Sequence, residues 1–107
     1  MNFKFSNFKK NKPKRVVILG SSGIISINLQ KAMKKRSVNT LTIGRSTINL
    51  KSHNASKLLT RKIKNGDTIV FIAAEAPVKN FKMLINNLKI CNNVCNSLQN
   101  KKIFHLV

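Results

Sequence analysis

RVVILGSSGIIS, residues 15–26, is a short β-branched run that meets a glycine turn and reopens into apolar residues at helical spacing. After Arg15 the run to Leu19 is apolar at every position, the pattern of a strand buried on both faces and hence of a parallel sheet. Beyond Gly20-Ser21-Ser22-Gly23, the spacing predicts a helix with Ile24, Ile27 or Asn28, Leu29 and Met33 facing inward. Lys31, Lys34, Lys35 and Arg36 populate its outer face and last turn, where cations suit the helix dipole.

The same alternation continues outward from that unit. NTLTI (39–43) reads as a second strand stopped by Gly44, and Ile48–Leu50 as a very short third. Residues 55–64 read as a helix with Leu58, Leu59 and Ile63 inward, ended by Asn65-Gly66. TIVFIA (68–73) is a buried strand. A long helix follows, with Phe81, Leu84, Ile85, Leu88, Cys91, Val94, Cys95 and Leu98 on its apolar face and Lys82, Lys89, Asn92, Asn93 and Asn96 outside. IFHLV (103–107) starts a further apolar strand. Strands alternating with helices imply β-α-β units, so the expected fold is α/β and Rossmann-like, a parallel sheet with helices on both faces. Because the sequence stops inside an apolar strand, the expectation is the N-terminal part of a longer domain, truncated at its fifth strand. Residues 1–14 (MNFKFSNFKKNKPK) interleave Phe3, Phe5 and Phe8 with lysines and are expected to be a basic, disordered arm ahead of a domain at 15–107. An arm that docks at an acidic interface is the alternative.

Composition removes several chemistries. Against 21 Lys+Arg stand two acids, Asp67 and Glu75, in 107 residues with a formal net charge of +19, so catalysis by paired carboxylates is nearly excluded. With no Tyr and no Trp, a tyrosine acid or base cannot operate within the chain, and base stacking would rest on six Phe and two His. The basic excess fits a polyanionic partner, but AT-rich codon bias also loads a chain with Lys, Asn and Ile. That bias explains the lysines and not the missing acids. Cys91 and Cys95 read as buried small apolar residues: their spacing on a helix is poor disulfide geometry, and a zinc site needs more ligands. His53 reads as a loop residue and His105 as a strand residue. A reducing cytoplasm is the expected compartment, and no apolar run approaches the roughly 20 residues of a membrane-spanning helix.

The chemistry concentrates at Gly20, Ser21, Ser22, Gly23, Ile24 and Ile25. A glycine turn from strand to helix lets a pyrophosphate approach backbone N–H groups at the helix N-terminus, where the dipole favours an anion. The Gly-Lys-Ser/Thr ending of a Walker loop is absent; an ordinary tight β-α turn is the plain alternative, and the strand before, the helix after and the first position in the fold make a dinucleotide the expected ligand.

The stretch resembles the cofactor fingerprint Gly-x-x-Gly-x-x-Gly of extended short-chain dehydrogenase/reductases, the NAD-dependent epimerase/dehydratase family, with Gly20 and Gly23 on the first two glycines and Ser26 on the third. Residues 66–74 (GDTIVFIAA) are similar to the family's Asp-x-Val-Ile-His-x-Ala-Ala strand, with Phe71 where His is usual. Asn87-Leu88 resembles its Asn-Val, and KKIFHLV the segment before its catalytic Ser-Ser/Thr. The resemblance implies that Ala73 and Ala74 leave room for the ribose and diphosphate, and that Asn49-Leu50 lie where Asp-Leu often contacts adenine. It implies a hydride-transferring epimerase, dehydratase or reductase acting on a sugar nucleotide or similar small hydroxyl or carbonyl substrate. The family's Tyr-x-x-x-Lys pair would lie beyond Val107. At the end of the second strand, Ile43-Gly44-Arg45-Ser46 carries no acid to bind a ribose 2′-OH, and Arg45 suits a 2′-phosphate, so NADP is expected over NAD. Two other readings stay open: a basic module on a Rossmann-like scaffold that binds nucleic acid or an acidic surface, and a non-catalytic regulator that binds NADP.

Overall fold

Val16, Val17, Ile18 and Leu19 are at most 3% exposed, which requires covering layers on both faces of their strand and neighbours on both edges. The computed structural model describes residues 12–107, together with the backbone of Lys4 and Phe5. The elements in chain order are β1 (Lys4–Phe5), β2 (Arg15–Leu19), α1 (Ile24–Lys35), β3 (Asn39–Ile43), α2 (Ala55–Lys62), β4 (Thr68–Phe71), α3 (Phe81–Leu98), β5 (Lys102–Ile103) and β6 (His105–Leu106). The main sheet is wholly parallel in the order β3-β2-β4-β6, and β1 pairs with β5 in a separate two-stranded ladder. The fold is therefore α/β and compatible with a Rossmann-like architecture.

Strand β3 lies on one side of β2 and β4 on the other, so right-handed crossovers put α1 over one face and α2 with α3 over the opposite one. The main core lies on the second face, where Val17, Leu19 and Ile69 of the sheet meet Ala55, Leu59, Ile90, Val94 and Leu98. Reversal of strand order at β2 opens a crevice at the C-terminal ends of β2 and β4, the place where open α/β sheets bind ligands.

Several local expectations are corrected. In α1 only Ser26 is buried, while Ile24 and Ile27 are exposed and Leu29 and Met33 half-buried. The face that meets the sheet starts from Ser26, whose hydroxyl bonds back to the Gly20 carbonyl. Residues 48–50 form no strand. Turn bonds from Thr47 and Ile48 N–H to the Gly44 carbonyl curl the segment and drive Ile48 and Leu50 into the core. Helix α2 ends at Lys62, with Ile63 extended and buried beyond it. Strand β4 ends at Phe71.

The buried residues of α3 are Ile90, Val94, Ser97 and Leu98, whereas Phe81, Leu84, Leu88 and Cys91 are exposed. Asn93, expected outside, is half-buried with its amide on two loop carbonyls. Cys91 is exposed and Cys95 half-buried, so neither is the buried apolar residue expected; partial burial, then the Cys91 thiol, pushes the Cys95 thiol up. The last apolar run is broken at Phe104 into β5 and β6. The expected arm at 1–14 falls largely outside the described residues. Among the described residues no helix is long and apolar enough to cross a membrane.

The N-terminal edge of the sheet is held by one acid. Asp67 is 3% exposed and takes the Arg15 guanidinium as a fork, Nε to Oδ1 at 3.0 Å and Nη2 to Oδ2 at 2.6 Å. Its carboxylate also accepts from Lys64 N–H at 2.8 Å, and its carbonyl from Phe104 N–H at 2.8 Å. Arg15 Nη2 reaches the Lys62 carbonyl at 2.8 Å. The start of β2, the end of α2, the start of β4 and the approach to β6 are thus joined at a single pair, and the bond to Asp67 raises the Arg15 pKa. Removing Arg15 strands a buried carboxylate, so Arg15→Met is expected to cost about 3 kcal/mol and to lower Tm by more than about 10 °C. Adding Asp67→Asn removes the stranded charge and should recover part of that loss in thermal unfolding.

Candidate functional site

The crevice is built where three strand ends meet. The Leu19 carbonyl accepts from Ile72 N–H at 2.9 Å and Ala73 N–H at 2.8 Å, and Gly20 N–H donates to the Ile43 carbonyl at 2.8 Å. Gly20 sits at φ 115°, and a Cβ there would lie 3.1 Å from the Ala73 nitrogen. Only glycine satisfies both the backbone angle and the closeness of β4.

The loop that follows is fastened from α1. The Ser26 hydroxyl donates to the Gly20 carbonyl, and the Gln30 side-chain amide donates to the Ser21 carbonyl at 3.2 Å and to Ser26 Oγ at 3.1 Å. Serine at the third position of the glycine pattern therefore acts as a tie that glycine could not supply. These bonds occupy the carbonyls of Gly20 and Ser21. The first hydrogen bond of α1 runs from Ile27 N–H to the Gly23 carbonyl, and the N–H groups of residues 21–26 have no protein acceptor among the described residues. Helix α3, by contrast, is capped by the Asn80 side chain on Met83 N–H at 2.9 Å, whereas α1 has no side-chain cap and no acid in its first turn. The start of α1 is a concentration of free donors and positive dipole, suited to an anion.

Gly23 differs from Gly20. Its φ of −78° is open to any residue, and a Cβ there would meet nothing within 4 Å. The chain itself does not need glycine at this point, but a ligand approaching the backbone closely would.

A cavity of about 450 Å³ lies against this loop, within the range of small-molecule sites. Of the residues singled out in the sequence, Gly20, Ser21, Ser22, Gly23, Arg45, Ala73 and Ala74 line it. Ile24, Ile25 and Ser46 are not among its lining. Ile24 and Ile25 stand 81% and 70% exposed at the start of α1, and Ser46 is exposed in the turn beyond Arg45. Asn49, Leu50 and Glu75 also line the cavity, as do Ile48, Lys51 and Ile90, which sequence reasoning did not place there.

Both far walls are held by asparagines of α3. Asn93 Nδ2 donates to the Leu50 and Ser52 carbonyls at 2.8 and 2.9 Å. Asn87 takes Glu75 N–H on Oδ1 at 2.7 Å and donates from Nδ2 to the Glu75 carbonyl at 2.9 Å. The Glu75 carboxylate accepts from Asn86 Nδ2 at 3.2 Å and from Lys51 Nζ at 3.3 Å, and so ties the two walls together. The Asn86 bond first, and then Lys51, holds its pKa below the ordinary carboxylate value, so the group is charged at neutral pH. No cluster of three or more His, Cys, Asp or Glu that could hold a metal occurs among the described residues.

No family model matches the chain, and no curated protein or solved structure is significantly similar to it.

The two kinds of contact predict different stabilities. Ser26→Ala deprives the part-buried Gly20 carbonyl of its donor and is expected to cost about 1 kcal/mol. Gly23→Ala, with open space around it, is expected to stay within about 0.5 kcal/mol of the parent. Urea unfolding of the two variants checks both.

Proposed function

We propose that the crevice binds a nicotinamide dinucleotide, NADP in preference to NAD, and that the chain is the cofactor-binding part of an extended short-chain dehydrogenase/reductase-like protein. The observation that carries this reading is the row of N–H groups at residues 21–26, gathered without protein acceptors among the described residues at the topological switch point of a parallel sheet. A pyrophosphate there accepts those donors and faces the positive end of α1. Gly23 supports the same reading, since the space where its Cβ would project is what a phosphate needs in order to reach the backbone. The small side chains of Ala73 and Ala74 leave width for a ribose beside β4.

Arg45 favours the 2′-phosphorylated cofactor. It stands at the crevice lip just after β3, and a guanidinium pairs well with phosphate oxygens. The acid in the crevice, Glu75, lies across from it on the β4–α3 loop and is held by Asn86 and Lys51.

When bound, the nicotinamide supplies hydride transfer, and the residues of this chain orient it; with no Tyr present, they do not include the family's proton donor. The resemblance extends the proposal to an epimerase, dehydratase or reductase whose substrate is a sugar nucleotide or a similar hydroxyl or carbonyl compound.

Isothermal titration of the chain with NADPH and NADH tests the reading. NADPH is expected to bind more tightly. Arg45→Ala should weaken NADPH about tenfold, the equivalent of about 1.4 kcal/mol, with NADH unchanged. Gly23→Ala should weaken both cofactors without loss of stability. Absence of heat with either cofactor overturns the proposal.

A further inference from the structure

In a wholly parallel sheet the strand starts and the helix ends share one edge, opposite the crevice. Cations of this chain collect on that edge. The Lys62 carbonyl is held by Arg15 at 2.8 Å, the Lys64 amide by Asp67 at 2.8 Å, and the Lys102 carbonyl by Gly66 N–H at 2.6 Å. The Lys14 side chain comes within 3.9 Å of a Cβ built on Gly66. Lys101 precedes Lys102, and Arg36 caps α1 three residues before the start of β3, which is in register with Arg15. These cations share the sheet edge that carries the turn at Asn65–Asp67; Arg15 and Lys101 are half-buried and the others exposed.

Among the described residues no carboxylate neutralises them. Asp67, the acid at this edge, is buried and engaged by Arg15, and Glu75 is held by Lys51 at the crevice end. Helix dipoles account for cations in the last turns of α1 and α2, but Lys14, Lys64, Lys101 and Lys102 lie on strand starts and turns. Codon bias accounts for lysine in general and has no reason to choose an edge of the sheet.

We infer that this basic edge is a second binding surface, for the phosphate backbone of duplex nucleic acid, independent of the crevice. Two features choose that partner. The large exposed apolar side chains among residues 12–107, such as Ile24, Ile25, Phe81 and Val107, belong to the first half of α1, the β4–α3 loop with the first half of α3, and the residue after β6; none of these lies at the basic edge to insert into a bilayer. Among residues 12–107 this edge also presents no exposed Phe, Tyr or Trp on which unpaired bases could stack. The exposed cations of residues 12–107 at this edge suit phosphates and carry no base sequence information.

Fluorescence anisotropy of a labelled 20-base-pair DNA duplex across a salt series tests the inference. The parent is expected to bind with affinity that falls steeply with salt. Lys14→Gln/Lys64→Gln/Lys102→Gln should lower affinity at least tenfold and reduce the log–log salt slope by about 2 to 3, at roughly 0.9 for each phosphate that is no longer neutralised. Lys31→Gln/Lys57→Gln/Lys89→Gln removes the same charge from mid-helix positions and should stay within twofold of the parent. Gly23→Ala, at the opposite end, should leave duplex binding unchanged. Equal losses in the two triple variants, each shown folded by thermal melting, overturn the inference, because binding would then follow diffuse charge. Failure to bind the duplex overturns it as well, and binding only to phosphatidylserine vesicles replaces nucleic acid with an anionic membrane.

Discussion

The Leu19 carbonyl accepts the amides of both Ile72 and Ala73 while Gly20 N–H reaches Ile43, and the geometry of the crevice depends on that junction. It brings the ends of β2, β3 and β4 close enough that a side chain on Gly20 would meet the β4 backbone. From this point the glycine loop leaves in one direction and the Ile72–Glu75 wall in another. At the other end of β2, the Arg15–Asp67 fork fixes where β2 and β4 begin. The central strand is thus pinned at both ends, by backbone bonds at the crevice and by a buried ion pair at the basic edge. Between the pins its side chains need only be apolar and β-branched, as they are.

The order of elements was legible because it depends on features that persist along the sequence. Three apolar runs stopped by glycine or loops, with helical spacing between them, leave few alternatives to a parallel α/β sheet. The faces of the helices were less legible. In α1, Ile24 and Ile27 gave an apolar signal that Ser26 overrode, because a polar residue that satisfies a nearby carbonyl can face the sheet more usefully than an isoleucine. In α3 Phe81, Leu84, Leu88 and Cys91 of the apolar row are exposed, whereas Val94 and Leu98 of the same row are buried together with Ile90 and Ser97, beside the half-buried Asn93. Periodicity reports which residues share a face, while the neighbouring loops decide which face turns inward.

Within the site, the glycine loop, Arg45 and the paired alanines could be read in the sequence because strand ends and turns mark their positions. Asn87, Asn93 and Lys51 could not. Their partners are distant in sequence, and an asparagine on a helix or a lysine in so basic a chain looks like ordinary solvated surface. The scarcity of acids acquires a definite form once the two are placed. One is committed to the frame at the base of β2 and the other ties the walls of the crevice, so neither is free to offset the remaining charge. The dinucleotide phosphate proposed for one end of the sheet and the polyanion proposed for the other both answer to that imbalance.

The central claim is that the amides of residues 21–26 receive the pyrophosphate of a nicotinamide dinucleotide. Titration of the 15N-labelled chain with NADP⁺, followed by amide resonances, tests it most directly. The account predicts saturable shifts at Gly20–Ser26, at Arg45 and at Ala73–Ala74, with the amides around Asn65–Asp67 unmoved. Shifts confined to that basic edge, or none that saturate at the loop, would contradict it.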